Sequence, residues 1–505
     1  MTAIQTRASV LAVVKETTEG TPVAPSGASD FIALQPDFVM TPSFNSLSND
    51  ELKASIGPAK SIQGLEAPTA SYSAYLRASG VVAQAPNYGE FLEAAFGAVT
   101  SAGTEYDTVS SSTTSVIKVN TGEGATFQRG EPLLIKDGTN GYRIRCIDSI
   151  SSDDLTIGFQ LPNAPGSAVN LGRAVLYYPA NSGHPTVSLW HYLGNGGGVQ
   201  LLSGGRVTNM SIDITAGELI NAAYDIEGVK YYFNPITIAS TDTKLDFTDD
   251  DGTWAATIAE GVYKDPHELA SAIQTAMRTI SPGKTATVTY SNTTGKFTIK
   301  TTGTVLTLKW STGANTANTI GDKIGFVVSS DDSGTGATTG YTSDNAITLT
   351  APYTPSYDSA DPLAAKDHEV MVGTTTDYAC FSASSVSIQM STPKSNILSV
   401  CSTSGVSGSI VSSREVTIQV SALLNQYDAD KFRRLRENDD TKFQYSFGVK
   451  SGGSWVAGKC GAIYCPTCTV SSIALTDADG LVQMDLTLTA FVNSSGEGEF
   501  FLGFV

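Results

Sequence analysis

Cys460, Cys465 and Cys468 are the residues of this chain whose type and spacing come nearest to chemistry. They form C-x4-C-x2-C with CPTC inside it, a pattern that can hold zinc or cycle as a redox pair. Zinc wants a fourth ligand, which Cys380 or Cys401 could supply in principle, but no histidine stands near in sequence. In a flat strand, residues three apart point to opposite faces, so buried or idle thiols are the default reading. The four histidines, His184, His191, His267 and His368, show no metal-ligand spacing. Neither G-x-S-x-G nor a P-loop occurs. GNGGG (194–198) has no helix after it to receive a phosphate, and DDDG (249–252) loses the calcium-loop pattern after its glycine. Lys431, Arg433, Arg434 and Arg436 cluster in KFRRLREN, either as a solvated helix face or as ion-paired contacts. The sequence offers no catalytic constellation, so neither an enzyme nor a cofactor or metal is expected.

The elements that carry these residues read as β structure. At 505 residues the chain exceeds one typical core, so several domains are expected. Charged residues make up only 16%, and Ser, Thr and Gly fill polar positions within short alternating runs. That mixture predicts a mainly β fold of sandwiches or barrels. A net charge of −18 argues against a basic reader of nucleic acid. The apolar run ASVLAVV (8–14) is too short for a membrane span and is followed by KETTEG. Neither membrane insertion nor a cleaved signal peptide is predicted. Folding in cytoplasm with reduced thiols is the expectation.

One phrase occurs twice. T-P-x-x-N-x-L begins at Thr41 and again at Thr392. Each copy follows an alternating run, FIALQPDFVM (31–40) or ACFSASSVSIQM (379–390). Each precedes a Gly/Ser-rich stretch, a second alternating run and a short helical segment, NYGEFLEAAFG (87–97) or YDADKFRRLREN (427–438). Matched order predicts an internal duplication. Both copies end in a long hairpin. In the first, Met210, Ile212, Ile214, Ile220, Ala222, Tyr224 and Ile226 form an apolar face. In the second, Val482, Met484, Leu486 and Leu488 do so, opposite Gln483, Asp485, Thr487 and Thr489.

Two segments interrupt the copies. Residues 101–180, with hairpin turn DGTNG, read as a small all-β barrel of SH3-like or OB-like type. Residues 236–352 read as a β/α module. Its helix starts at Asp265 as cap, Pro266 and a capping-box Glu268, with Leu269, Ile273, Met277 and Ile280 as its apolar stripe. In the first copy, Asn87 is the expected helix cap and Gly97 the stop. GTGATTGYTSDN reads as a surface loop. The expected division is 1–100 with 181–235, 101–180, 236–352, and 353–505.

RASVLAVVKETTEGTPVAP, the block ending FLEAAFG, the hairpin GGRVTNMSIDITAGELINAAYDIEG and the ending QMDLTLTAFVNSSGEGEFFLGFV resemble phage tail tube proteins. Among these the resemblance is to long, non-contractile-tailed phages, and to the large duplicated type of flagellum-targeting phages. It implies two tail tube β-sandwiches, each with a flanking helix, and a virion structural protein. In that family six such domains form a ring whose hairpins close a β-barrel around a lumen. Stacked rings carry DNA from capsid to host. Two domains per chain then imply a homotrimer with pseudo-sixfold symmetry, stacked head-to-tail.

The resemblance further implies a lumen lined by the polar hairpin faces, here Asp213, Asp225, Glu227 and Asp485. It implies inter-ring loops at about 45–64 and 396–413, carrying Asn45, Leu47, Asn396 and Leu398, with the N-terminal arm also reaching the adjacent ring. Implied partners are the tape measure protein and genomic DNA in the lumen, and tail terminator and tail tip proteins at the ends. Implied localisation is the virion tail, assembled in host cytoplasm. The two inserted modules should project outward, the second as a decoration-type domain. The alternative is a capsid decoration or tail-fibre protein, which would need no matched hairpins. A glycan depolymerase would need paired carboxylates in a groove, and a surface adhesin would need a signal peptide.

Overall fold

The computed structural model describes residues 4–505 apart from 52, 54–55, 335–338, 403, 425–428, 495 and 497. The fold is mainly β. In chain order it begins with β1 (Val10–Lys15), β2 (Phe31–Ile32), β3 (Val39–Thr41), β4 (Phe44–Leu47), β5 (Ile62–Glu66), β6 (Thr69–Tyr75) and helix α1 (Gly89–Phe96). A first insertion holds β7 (Gly97–Thr100), β8 (Tyr106–Asp107), β9 (Val116–Lys118), β10 (Pro132–Lys136), β11 (Tyr142–Ser151), β12 (Asp154–Ile157), β13 (Asn170–Leu171) and β14 (Val175–Pro179). Then come β15 (Val187–Leu193), β16 (Gly198–Thr215), β17 (Asn221–Glu227) and β18 (Lys230–Phe233).

A second insertion holds β19 (Ile236–Ile238), β20 (Lys244–Asp249), β21 (Gly252–Thr257), β22 (Gly261–Tyr263), helix α2 (Pro266–Ile280), β23 (Thr287–Ser291), β24 (Lys296–Lys300), β25 (Leu306–Leu308) and β26 (Tyr341–Thr342). The chain ends with β27 (Glu369–Gly373), β28 (Tyr378–Phe381), β29 (Ala383–Ser391), β30 (Lys394–Leu398), β31 (Val406–Val411), β32 (Glu415–Leu423), helix α3 (Ala429–Glu437), β33 (Thr441–Ser451), β34 (Ser454–Ala478), β35 (Leu481–Ala490) and β36 (Phe501–Phe504).

Without its two insertions, the chain presents one series of ladders twice. β2 pairs β1, β1 pairs β15, β15 pairs β16, and β16 pairs both β17 and β18. Likewise β28 pairs β27, β27 pairs β33, β33 pairs β34, and β34 pairs both β35 and β36. Two irregularities recur as well, although the shift between Gly448 and Lys450 has no counterpart in the first series. The β15–β16 register shifts between Val187 and Leu189, and the β33–β34 register between Thr441 and Phe443. The hairpin register shifts between Val207 and Asn209, and again between Val470 and Ser472. Leu76 N donates to Ile220 O at 2.9 Å, as Leu424 N does to Val482 O at 2.9 Å. These matches align the two series residue by residue.

The inner layer is one continuous antiparallel sheet in the order β3-β6-β17-β16-β29-β32-β35-β34. Strict alternation makes it two-faced. Tyr72, Tyr224, Met210, Ile212, Ile388, Met390, Ile418, Leu486 and Leu488 are buried in one core with Phe91, Leu92 and Phe96 of α1 and with Leu11, Val13 and Leu189 of the outer strands. α1 ends at Gly97, whose φ of 104° is the left-handed cap a side chain resists. Its N-cap is Tyr88, not the expected Asn87. The Asn87 amide is spent instead on Phe31 O and Ser356 O.

The first insertion is rooted in the β7–β14 ladder, and β14 also pairs β36. Its body is a four-stranded sheet, β10-β11-β12-β9, plus the β8–β13 ladder. Phe159, Ile144 and Cys146 pack it onto Met371, Trp455 and Tyr464 behind β34. The second insertion has its own core, in which Leu269, Ile273 and Met277 of α2 meet Phe247, Phe297 and Trp310. Asp265 caps α2 by accepting from Glu268 N at 2.8 Å. The Glu268 carboxylate accepts from Lys264 N, one residue earlier than a capping box requires. Part of GTGATTGYTSDN lies outside the described residues.

Candidate functional site

The polar face of the inner sheet and its two bare edges are the features that stand out. The four acids expected on a polar face share this one. Asp213 lies on β16, Asp225 and Glu227 on β17, and Asp485 on β35. Alternation puts them opposite the buried Ile212, Tyr224, Ile226 and Leu486. Neighbouring hydroxyls and amides hold the carboxylates. Ser387 donates to Asp213 at 2.6 Å, and Ser71 to Asp225 at 3.1 Å. Hydrogen bonds from Ser421, then Gln483 and Thr476, keep the Asp485 carboxyl below its ordinary pKa. Glu227, at the margin, sits 3.7 Å from Lys394. Two further acids share the face and were missed in the sequence, Asp37 (bonded by Ser73) and Glu415. Their strands were legible, but their place beside β6 and β29 depends on long-range pairing. Basic residues reach this face only at its arm-end margin, where Arg206 of β16 lies opposite Glu227; the rest of the face on these eight strands carries no lysine or arginine.

The phrase T-P-x-x-N-x-L opens a paired arm each time rather than a loop. β4 pairs β5, with Leu47 opposite Ile62, and β30 pairs β31, with Asn396 opposite Ser409. The Gly/Ser-rich stretches, with IQGLE in one and VSGSIV in the other, form ladders of their own. Asn45, Leu47, Asn396 and Leu398 are all exposed. Glu66 N reaches Ser404 O at 3.4 Å, so both arms leave the sheet at one end, while the hairpin turns lie at the other. Arg206, buried at the root, donates to Ser409 at 2.6 Å and to Glu19 at 2.9 Å.

The sheet has one internal seam, β16 with β29. Met210 lies opposite Met390, Ile212 opposite Ile388, and Asp213 opposite Ser387. At the ends of the sheet the corresponding edges are bare. Among the described residues, β3 pairs only β6, and beyond Cys468 β34 pairs only β35.

The remaining candidates are structural. Cys460, Cys465 and Cys468 all lie within β34 and are buried. Cys465 Sγ is 3.1 Å from Glu499 O and Cys468 Sγ is 3.2 Å from Thr441 O, and burial pushes the Cys465 thiol up. The Asp249 carboxylate accepts from Trp254 and Gly252 N, closing a turn. GNGGG forms a short 3-10 turn. Arg433 meets Asp439 at 2.7 Å and Arg434 is 3.9 Å from Asp377, so these members of the basic cluster are ion-paired. The Lys431 side chain lies outside the described residues. Among the described residues, no three His, Cys, Asp or Glu side chains gather as a metal site, and no helix is long and apolar enough to cross a membrane.

The phage tail tube protein family model matches residues 6–259, half of the chain. The chain belongs to that family, a structural protein of the virion tail. No curated protein matches it. Among solved structures, a chain from the virion of a native gene transfer agent particle is similar at 13% identity. The match covers 26% of this chain and 94% of that one, with a TM-score of 0.19.

Proposed function

We propose that three copies of this chain close into a ring and that rings stack into the tail tube of a non-contractile-tailed phage. The observation that carries this reading is the seam. β16 and β29 join the two repeats in one sheet, and the same edges stand bare at β34 and β3. Carried from one seam to the other by the register matches, β34 of one chain pairs β3 of the next, with Leu475 opposite Met40 and Thr476 opposite Val39. Closure removes the two open edges, which otherwise template uncontrolled pairing. Covering an exposed leucine or valine there contributes about 1.5–3 kcal/mol.

The polar face then lines the lumen. Asp37, Asp213, Asp225, Glu227, Glu415 and Asp485, with basic side chains (Arg206 and Lys394) only at the Glu227 margin, repel phosphate and let DNA pass without adhering. The arms, with exposed Phe44, Leu47, Ile62, Ile397 and Leu398, extend toward the next ring, and a head-to-tail contact of this kind propagates as a filament. In this reading 1–100 with 181–235 and 353–505 are the two tube domains. The modules at 101–180 and 236–352 stand outside the barrel. The role is structural, not catalytic. Tape measure protein and genomic DNA occupy the lumen, and terminator and tip proteins close the ends, with assembly in host cytoplasm.

Electron microscopy of the purified protein at rising concentration tests this. Hollow tubes or rings with three-lobed end views are expected. Solid particles at every concentration would return the chain to the capsid-decoration or tail-fibre reading.

A further inference from the structure

Within the chain, the turn end of the first hairpin is covered by the segment leading into the second repeat. Leu363 N donates to Leu76 O at 3.0 Å, and Leu363 O accepts from Ile220 N at 2.9 Å. Ala364 bridges Leu219, and Ala365 N donates to Glu218 O at 2.8 Å. Each of these positions has a counterpart in the other repeat. Leu76 and Ile220 correspond to Leu424 and Val482 by their shared hydrogen bond. Val13, opposite Leu189, corresponds to Val372, opposite Phe443. Counted back equally from those two valines, Leu363, Ala364 and Ala365 correspond to Ile4, Gln5 and Thr6.

Exposure at these counterparts is reversed. Ile220 is 0% exposed and Val482 51%, Ile212 is 0% and Leu475 47%, and Leu363 is 4% and Ile4 54%. The second hairpin end is apolar and uncovered, and the segment matching the cover of the first presents an exposed isoleucine, Ile4, followed by the polar Gln5 and Thr6. Within the chain, the Gln5 carbonyl accepts from Ala8 N at 3.1 Å and lies beside Gly194, and the Ile4 side chain lies beside Gly197, in the turn before β16. Charge agrees as well. Arg7 follows the segment where Lys366 follows the other, and Asp477 and Asp479 flank the uncovered end.

We infer that Ile4–Thr6 of one chain seat on Gly480–Val482 of the neighbouring chain in the same ring, as Leu363–Ala365 seat on Glu218–Ile220 within a chain. This rests on the ring reading. It also differs from the family expectation that sends the N-terminal arm to the adjacent ring. Each junction would then consist of a strand seam and a cap, and every junction around the ring would have the same construction.

The test is cysteine cross-linking in assembled tubes with two separate pairs, Gln5→Cys with Leu481→Cys for the cap and Val39→Cys with Thr476→Cys for the seam. All four positions are exposed, so the fold is retained. The expected result is that both pairs give reducible species of two and three chains and nothing larger. A seam pair that links while the cap pair does not overturns the inference and leaves the ring standing. Cap-pair products running past three chains overturn it too, because the arm then reaches another ring. Failure of both pairs removes the ring reading and the inference with it.

Discussion

Ile212 and Leu475 hold the same place in two hairpins with the same bulge, yet one is fully buried and the other half exposed. Residue type does not account for the difference, since both are large and apolar. The partner does. Ile212 lies beside Ile388 of the following repeat, while in the proposed ring the following repeat for Leu475 would belong to another chain. In the proposed ring, the first repeat would display the assembled state of a junction and the second its unassembled half. The acids differ in another way. Asp213, Asp225 and Glu227 correspond to Thr476, Thr487 and Thr489, and Asp485 to Ala223. The backbone pattern repeats twice per chain but the charge pattern does not, so a ring of three would be sixfold in strands and threefold in charge.

The largest effect should come from placing a carboxylate at this position in each repeat. Ile212→Asp buries an unpaired charge and is expected to cost on the order of 5 kcal/mol in urea unfolding. Leu475→Asp should change monomer stability by no more than about 0.5 kcal/mol but abolish tubes. Equal destabilisation by the two would break the comparison.

Next is the insertion that only the first repeat carries. The Arg173 guanidinium, buried over the Phe127 ring at 3.9 Å, pairs with Glu131 and donates to Thr126 O at 2.8 Å. Arg173→Ala strands a buried carboxylate and should cost about 3–5 kcal/mol. Arg433→Ala on α3 breaks exposed pairs and should cost under about 1 kcal/mol, read by the same urea titration.

A smaller effect separates the repeats by pH. His368, which corresponds to Ser9, is packed against Tyr445 and Gly448. Burial holds its imidazole neutral, with a pKa of about 4. The unfolded chain protonates it near pH ~6.5, so stability is lost as pH falls from there toward 4. His368→Gln should flatten part of that decline in Tm. His184, also lowered to about 4 by burial and by Arg414 and Arg206, accounts for another part.

The smallest effect on stability belongs to the polar face. Asp213→Asn and Asp225→Asn should each stay within about 0.5 kcal/mol. Replacing Asp213, Asp225, Glu227 and Asp485 together with lysine should leave tubes intact but make them retain DNA, with release by salt. Variant tubes that pass DNA unchanged would remove the charge argument for the lumen.

Much of this was legible in the sequence because alternation is local. The faces of both hairpins, the stop of α1 at Gly97 and the stripe of α2 follow from residues a few positions apart. The arms were not legible as strands. FNSL and IQGLE are short and polar, and only their pairing with each other makes them a ladder. Nor were Asp37 and Glu415 legible, since β3 beside β6 and β32 beside β29 set their face across long loops. The bare edges have no signature at all in residue type, because they become visible only when β16 and β29 are seen paired.

The central claim, that β34 of one chain continues into β3 of the next as β16 continues into β29, is tested most directly by oxidising Val39→Cys/Thr476→Cys tubes. Non-reducing electrophoresis should show a ladder that stops at three chains. A protein that remains monomeric on the gel despite forming tubes, or a ladder that continues past three, would contradict it.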